Sequence, residues 1–521
     1  MLQPKSLIPT ILLSLGILPI LCQMEQSGIR IQEDRLKKLE DQLDQKLKEL
    51  EPKLHRLAQD ALGDTPFNLN SLDDLSELIY SRHVNDKRMW AQVFQLGAEV
   101  RGSVKKARKP RRLTPVQFRR AVKLLTTPIY KTRAEHCDDC GGTGHIRKTK
   151  RDGTPFKHLS LCQSCQGNGM VYTVLAAPAG FLCTPNNSTL CRSNGFATDT
   201  DTLQDLIKQE GITDEARTFI TALVEYRETN KHKTFTDGLR RAIRPDGFIH
   251  CSFMQTVTAT GRLSSQTPNF HNQPRGSTFP IREVVTSRWE GGCITDADYA
   301  QLEFRVAAQL SECGHANAAI LKGVDVHSDT ARIITDSGQS TDRQAAKAHT
   351  FKPLYGGTSG TRAERSYYTA FLEQLYPGIG KWHQELLGFV VENGYIQLPS
   401  GRAYKFPRVR RFPSGGVSGA TQIKNYPVQG FATADIVPLA TLYVSLGYHQ
   451  ASLRSVLINE VHDSIVTDTY PGEEDIVAKI NKQVMEGVKE QIQEWFGYDF
   501  TVPLKAEVKQ GPDWLNVRTV L

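Results

Sequence analysis

A chain of 521 residues is too long for one ordinary hydrophobic core, so two to four domains are expected. With 39% hydrophobic and 23% charged residues, the composition excludes a disordered or low-complexity protein and fits a folded soluble one. The net charge of +8 gains meaning from its distribution: residues 100–134 hold twelve Lys or Arg and no Asp or Glu, so the basic character is local.

The first predicted element is the apolar run "LIPTILLSLGILPILC" (residues 7–22). It has the look of a signal h-region, but it is short for a membrane span and holds two prolines; a buried helix leading into the fold is the preferred reading, with no membrane partner. Residues 27–62 place Leu36, Leu39, Leu43, Leu47, Leu50 and Leu54 at helical spacing and predict a long amphipathic helix, with a coiled coil as the alternative. Asn70 or Ser71 is the predicted cap of the next helix. Residues 84–195 change character, first basic, then Cys/Gly-rich, then loop-like. Helical patterns return over 199–244, and from 250 onward short strands and helices mix as in an α+β domain.

Ten cysteines in a chain of this size do not form a disulfide framework. They suggest a reducing, cytoplasmic setting with one metal site. "CDDCGGTG" and "CQSCQGNG" share the pattern Cys-x-x-Cys-x-Gly-x-Gly, in which two thiolates grip one ion and the glycines permit the tight turn. Together they supply Cys137, Cys140, Cys162 and Cys165, read as one structural zinc site, with a redox CxxC as the alternative. The repeat resembles the zinc domain of J-protein chaperones, but there are two copies rather than four and no His-Pro-Asp tripeptide, which argues against a chaperone. The adjacent basic stretch at 104–120 is either a solvated face or a phosphate-tracking surface, and its position next to a zinc module favours the latter.

"INEVHDSIVTD" (458–468) reads as two short strands joined by a His-Asp turn. Asp463 either favours the turn or is held there to face positive charge. A second carboxylate fits the second reading: "ITDADYAQLEFRVAAQLS" (294–311) starts as a strand and becomes a helix near Ala300, with Asp298 at the junction and Glu303 about one turn on. Two carboxylates on adjacent strands can hold two divalent ions roughly 4 Å apart, as in-line phosphoryl displacement requires. In "DRQAAKAHTFKPLYGG" (342–357), Arg343, Lys347, Phe351 and Tyr355 recur every fourth residue on a predicted helix. Two cations followed by two aromatics suit a triphosphate followed by a base.

Together these motifs resemble those of family A DNA polymerases. "DYAQLEFRVAAQLS" is similar to the first carboxylate motif, "RQAAKAHTFKPLYG" to the fingers helix and "EVHDSI" to the second carboxylate motif. "TVTATGRLSSQTPNFHNQP" (256–274) and "NYPVQGFATADI" (425–436) are similar to segments that contact primer–template, and "ILPILCQMEQSGIRI" with "FNLNS" to the start of the thumb. The resemblance implies an α+β right-hand fold of palm, fingers and thumb; residues 84–195 fall outside the family plan, where the thumb has a short loop, and are read as an inserted basic, four-cysteine zinc module. It divides the chain into an apolar lead-in (1–23), thumb (24–83 and 196–245), basic and zinc-binding insertion (84–195), palm (246–312 and 420–521) and fingers (313–419).

The implied activity is DNA-templated extension of a primer 3′-hydroxyl with dNTPs, releasing pyrophosphate. The resemblance gives Asp298, Asp463 and the Tyr299 carbonyl to two Mg²⁺ (or Mn²⁺) ions. It gives Arg343, Lys347 and His327 to the triphosphate, with Lys347 a proton donor to pyrophosphate. Gln301 and Glu303 would shape the sugar pocket, and Phe351 and Tyr355 flank the nascent pair. Arg262, Asn425, Gln429 and His462 would contact primer or template, with Arg282 a looser match. Departures are Ser464 for a usual Glu, Lys352 for a usual Gly, Pro353 near the helix end, and Thr421 for an expected Arg. The roughly 23 residues before the thumb leave no room for a proofreading exonuclease, so polymerisation without proofreading is expected, with a helicase or a separate exonuclease chain as further partners. The compact architecture suggests viral DNA replication. Rival readings are a single-subunit RNA polymerase, against which Glu303 and "TGRLSS" argue, and a non-catalytic DNA-binding accessory protein, against which the intact carboxylates and cations argue.

Overall fold

The structure is a computed structural model that describes residues 6–101, 104–107, 113–151, 153–274, 279–413 and 415–521. Part of the basic stretch at 104–120 therefore lies outside the described residues. The chain forms two compact units, Met1–Leu39 with Phe235–Leu521, and Glu40–Thr234.

Helix α1 (Ile8–Ser27) opens on Pro9 and closes at Gly28, whose φ of 67° few other residues would tolerate. It buries one face through Leu13, Ile17, Ile20, Leu21 and Met24, while Ile11, Leu12 and Leu15 stay more than half exposed. The expected buried helix is thus buried on one side, and it is long and apolar enough to cross a membrane by length and composition. The next helix, α2 (Glu33–Leu62), starts later than the leucine pattern at 27–62 implies. Ile29–Arg30 instead pairs antiparallel with Phe248–Ile249.

In the unit Glu40–Thr234, α3 (Leu72–Tyr80) is capped by Ser71, whose side chain accepts from the Asp74 amide. Helices α4 (Lys87–Val93), α5 (Pro115–Leu125), α6 (Thr200–Ile207) and α7 (Asp214–Ala242) follow. Their apolar faces and α2 share one core, in which Trp90, Phe94, Phe118 and Phe196 pack among Leu54, Leu78, Phe219 and Leu223. Strands β1 (Tyr130–His136) and β2 (Met170–Pro178) form an antiparallel ribbon, with the cysteine knuckles between its paired ends His136 and Met170.

The other unit is built on a five-stranded antiparallel sheet. Its central strand, β3 (Cys293–Tyr299), is followed by α8 (Leu302–Leu310), α9 (Val326–Asp336), α10 (Arg343–Leu354) and α11 (Pro377–Asn393). Helix α12 (Ala420–Gln429) continues through a π-helical stretch, Gly430–Ile436, into α13 (Val437–Gln450). The hairpin β4 (Val456–Val461) and β5 (Ser464–Thr469) follows, then α14 (Glu474–Gly487), β6 (Ala506–Gly511) and β7 (Arg518–Thr519). The strand order is β4-β5-β3-β6-β7. Helix α14 covers β3 and β6, and α1 packs on β4 and α13. Every residue of β5 is buried, so this hairpin belongs to the core rather than to the surface.

Candidate functional site: a carboxylate and cation cleft

Asp298 stands one residue before the end of β3, and its cross-strand neighbours are Ser464 on β5 and Glu507 on β6. The hairpin β4–β5 closes through a two-residue turn, His462-Asp463. His462 takes the positive φ of 63° that such a turn demands. Asp463 therefore projects from the turn rather than from a strand, and its carbonyl accepts the Tyr299 amide at 3.1 Å. That bond ties the turn to the end of β3, and both carboxylates border one cleft of about 460 Å³.

Gln301 turns the chain from β3 into α8 with a φ of 55°, a left-handed conformation uncommon outside glycine. The same cleft is lined by Arg262, Tyr299, Gln301, Glu303 and His327, and by Arg343, Lys347 and Phe351 of α10. Asp342 caps α10, accepting from the Ala345 amide, so the helix begins where the cation stripe begins. Pro353 lies inside its last turn and Tyr355 at its C-cap, donating its amide to the Phe351 carbonyl at 3.0 Å. The stripe survives the proline, with the rings of Phe351 and Tyr355 stacked at 6.1 Å and 9°.

Three features tune these groups. Asp325, the N-cap of α9, accepts Arg343 Nε at 2.6 Å and Gln301 Nε2 at 3.3 Å. Burial alone would raise its carboxyl, but hydrogen bonds from Arg343, Ser328 and the His327 backbone, with the Arg343 charge, hold it down at about 2. It is thus a fixed anion that orients Arg343. Burial, reinforced by the Arg343 and Lys347 charges, pushes the His327 imidazole below its ordinary value against the pull of Asp325, so the ring is neutral near pH 7. Its Nδ1 lies 3.0 Å from Thr350 Oγ1, and its ring packs 5.4 Å from Phe351. Glu303 accepts a hydrogen bond from the Tyr355 hydroxyl. Burial pushes the Glu303 carboxyl up; Tyr355 and Arg262 oppose this, and Asp463 adds to it. Gln429 hydrogen-bonds Tyr355 in turn.

Asp298, Asp463, Tyr299, Arg343, Lys347, His327, Gln301, Glu303, Phe351, Arg262 and His462 thus meet in one place, with Tyr355 and Gln429 joined through Glu303. Asn425 lies on α12 and is not among the cleft-lining residues. Arg282 is buried with its guanidinium 4.0 Å over the Trp514 ring, and is not among them either. Nothing in the sequence singles out Glu507, Lys509 and Thr433, which line the cleft, or Asp325, which holds Arg343. Glu507 and Lys509 form an ion pair of 2.9 Å on β6, some two hundred residues from Asp298. Only the strand register brings them beside it.

In the other unit, the four cysteine sulfurs lie within 4.8 Å of one another and could hold a metal ion. Cys137–Cys162 and Cys140–Cys165 sulfur separations are both 3.7 Å. Tetrahedral thiolates about 2.3 Å from a zinc ion stand about 3.75 Å apart. The two knuckles are reciprocal: the Cys137 amide donates to the Gly169 carbonyl and the Cys162 amide to the Gly144 carbonyl, both at 2.9 Å. A side chain on Gly144 would strike the Gly167 carbonyl, and one on Gly169 the Gly142 carbonyl. None of the ten cysteines is joined in a disulfide.

Two carboxylates, two cations and the Phe351 ring thus line one cleft, and Tyr355 stacks on that ring. The chain belongs to DNA polymerase family A, whose model matches residues 179–516. It is 30% identical over 342 residues to DNA polymerase I of Lactococcus lactis subsp. lactis, covering 62% of this chain and 37% of that protein. It is 32% identical over 321 residues to the thermostable DNA polymerase I of Thermus aquaticus, covering 58% and 37%. The chain thus spans little more than a third of the length of these relatives. Among solved structures, the POL domain of Pol1 from M. smegmatis in complex with DNA primer-template and dNTP is similar over 96% of this chain and 70% of that one. The TM-score is 0.65 at 20% identity, which shows the right-hand polymerase fold.

Proposed function

We propose that the protein is a DNA-directed DNA polymerase that extends a primer 3′-hydroxyl with dNTPs. The observation that carries this reading is the single cleft shared by Asp298, Asp463, Arg343, Lys347 and Phe351. The donor set fits divalent ions: two carboxylates and the Tyr299 carbonyl, presented by a strand end and a hairpin turn tied by a backbone hydrogen bond. Asp298, Asp463 and Tyr299 would hold Mg²⁺ or Mn²⁺, which supplies charge neutralisation at the reacting phosphate and activation of the attacking oxygen. Arg343, fixed by Asp325, and Lys347 bind the triphosphate by charge, and neutral His327 does so as a hydrogen-bond donor. The primer 3′-hydroxyl loses its proton to solvent as its oxygen bonds to the α-phosphorus, the α–β bridge breaks, and Lys347 would give a proton to the departing pyrophosphate. The Glu303–Tyr355 pair walls the sugar pocket, while Arg262, His462, Gln429 and Asn425 are left to primer and template.

The test is primer extension with purified protein, with and without magnesium, and with dNTPs against rNTPs. Asp298→Asn and Asp463→Asn should each slow extension by at least about a hundredfold while primer–template affinity stays within a few-fold, since the carboxylates serve the reacting phosphate and not the duplex. Retention of a tenth of the wild-type rate by either variant would remove that residue from the mechanism, and preference for rNTPs would favour the RNA polymerase reading.

We further infer that the cysteine site binds one structural zinc ion. The matching sulfur separations and reciprocal glycine turns support this, and the Lys and Arg residues between the knuckles suit a nucleic-acid backbone.

A further inference from the structure

A second cavity, about 370 Å³, lies between α1 and the back of the hairpin that carries Asp463. Its walls are mainly apolar, with Leu13, Ile17 and Leu21 of α1 facing Leu263. At roughly the 30 Å³ that one water occupies in the liquid, this is room for about a dozen heavy atoms, within the range of small-molecule sites.

Its polar groups are mostly spoken for. Thr10 Oγ1 donates to the Ser400 carbonyl, Ser14 Oγ to the Thr10 carbonyl and Gln255 Nε2 to the Ser14 carbonyl. Arg402 is committed to Asp435, which it contacts through Nε at 3.0 Å and Nη2 at 2.9 Å. The exception is Glu460. It is 2% exposed, lines the cavity, and accepts one hydrogen bond, from Thr441 Oγ1 at 2.7 Å. Among the described residues no cation pairs with it. Arg402 and Glu460 are the titratable side chains of the cavity wall, and Arg402 is neutralised by Asp435. A carboxyl buried beside apolar walls without a counter-charge is pushed toward its neutral form, and a cation in the cavity would offset the cost of ionising it.

We propose that this cavity is a binding site for an amphipathic cation, its apolar body against the α1 leucines and Ile17 and its ammonium or amidinium group on Glu460. The ionised carboxylate repels an anion. A neutral ligand fills the apolar part but leaves the charge unmet. The site is also placed to matter to the cleft. Glu460 stands three residues before Asp463, and Gly261 and Leu263 of the cavity wall flank Arg262 of the cleft. Burial pushes the Glu460 carboxyl up to about 7, against the Thr441 hydrogen bond, so a bound cation would favour its ionised form and release protons near neutral pH.

Isothermal titration of the full chain with 4-phenylbutylamine and its uncharged counterpart 4-phenylbutanol tests this without nucleic acid, so its outcome is separate from that of the polymerase reading. The amine should bind about tenfold more tightly at pH 8 than at pH 6, following ionisation of a carboxyl near 7 while the amine stays charged. It should also release about half a proton at pH 7, read by comparing buffers of different ionisation enthalpy. Glu460→Gln should abolish the pH dependence and the amine's advantage and leave 4-phenylbutanol binding alike in both proteins. The proton release needs no variant, so the test stands even if the substitution misfolds. Amine binding no tighter than the alcohol, an unaltered amine affinity in Glu460→Gln, absence of proton release, or no heat from either compound at millimolar concentration would each overturn the proposal.

Discussion

Glu460 also carries an energetic cost that stability measurements can read. Its folded value of about 7 lies above the ordinary 4.5, so between these limits the native state binds more protons than the unfolded one. The contribution of this group is therefore favourable at low pH and is lost as pH rises through about 7. Between pH 5 and pH 8 the loss is on the order of 2–3 kcal/mol. Urea unfolding at the two pH values should show wild type losing about that much more than Glu460→Gln, which has no charge to bury; equal losses would mean the carboxyl is not held up. A second single-residue prediction concerns Phe351, which lines the cleft between His327 and Tyr355. A dideoxynucleotide lacks the 3′-hydroxyl, and a phenyl ring cannot replace its polar contacts. Leaving a polar partner unmet in a desolvated site costs about 1–3 kcal/mol, or about 5- to 150-fold in discrimination. Phe351→Tyr should therefore narrow the dNTP/ddNTP ratio of kcat/KM by that order, with dNTP kinetics little altered; an unchanged ratio would take Phe351 away from the sugar. Residues of this kind were legible because their chemistry repeats at short spacing. Asp325 was not, because a helix N-cap Asp looks the same in sequence whether or not an arginine arrives from another helix.

At the scale of elements, legibility follows periodicity. The stripe from Arg343 to Tyr355 became α10 because the adjoining face of that helix, with Ala346, Thr350 and Leu354, is buried, and the run leading to Asp298 became the central strand β3. The ribbon β1–β2 was invisible for the opposite reason: none of its residues is buried, so no alternation was imposed. That exposure makes the knuckles separable. Their sulfur cluster is a small core of its own, with Ile146 packed against it. Joining His136 to Met170 by an Asn-Gly turn, in place of residues 137–169, should keep the ribbon paired and remove one zinc ion per chain by elemental analysis. The excised segment carries Arg147, Lys148, Lys150, Arg151 and Lys157. If these track phosphates, the log–log salt slope of primer–template binding should flatten by up to about 4.5, at roughly 0.9 per contact. A slope unchanged within error would deny the knuckles a nucleic-acid role.

For the whole molecule, the boundary that sequence suggested and the boundary of the core are different things. Residues 84–195 stand out by composition, basic and then rich in cysteine and glycine. Yet Trp90, Phe94 and Phe118 from that stretch, and Phe196 at its edge, are buried in the same core as Leu54 and Leu78 before it and Phe219 and Leu223 after it. Composition marks where a chain changes character, whereas a core is defined by long-range packing that no local window contains. The consequence is testable. Truncating one buried Phe or Trp costs about 3–5 kcal/mol, and the three lost together reach the 5–15 kcal/mol that stabilises a typical domain. Replacing residues 84–195 by a short linker should therefore unfold what remains of the unit Glu40–Thr234, while the five-stranded sheet, which has its own core, stays folded. Limited trypsin digestion should cut the remaining segments 40–83 and 196–234 rapidly in this variant, and should leave them protected when only residues 137–169 are replaced. Equal protection of the two variants would mean that the residues on either side of the stretch can build a core without Trp90, Phe94 and Phe118.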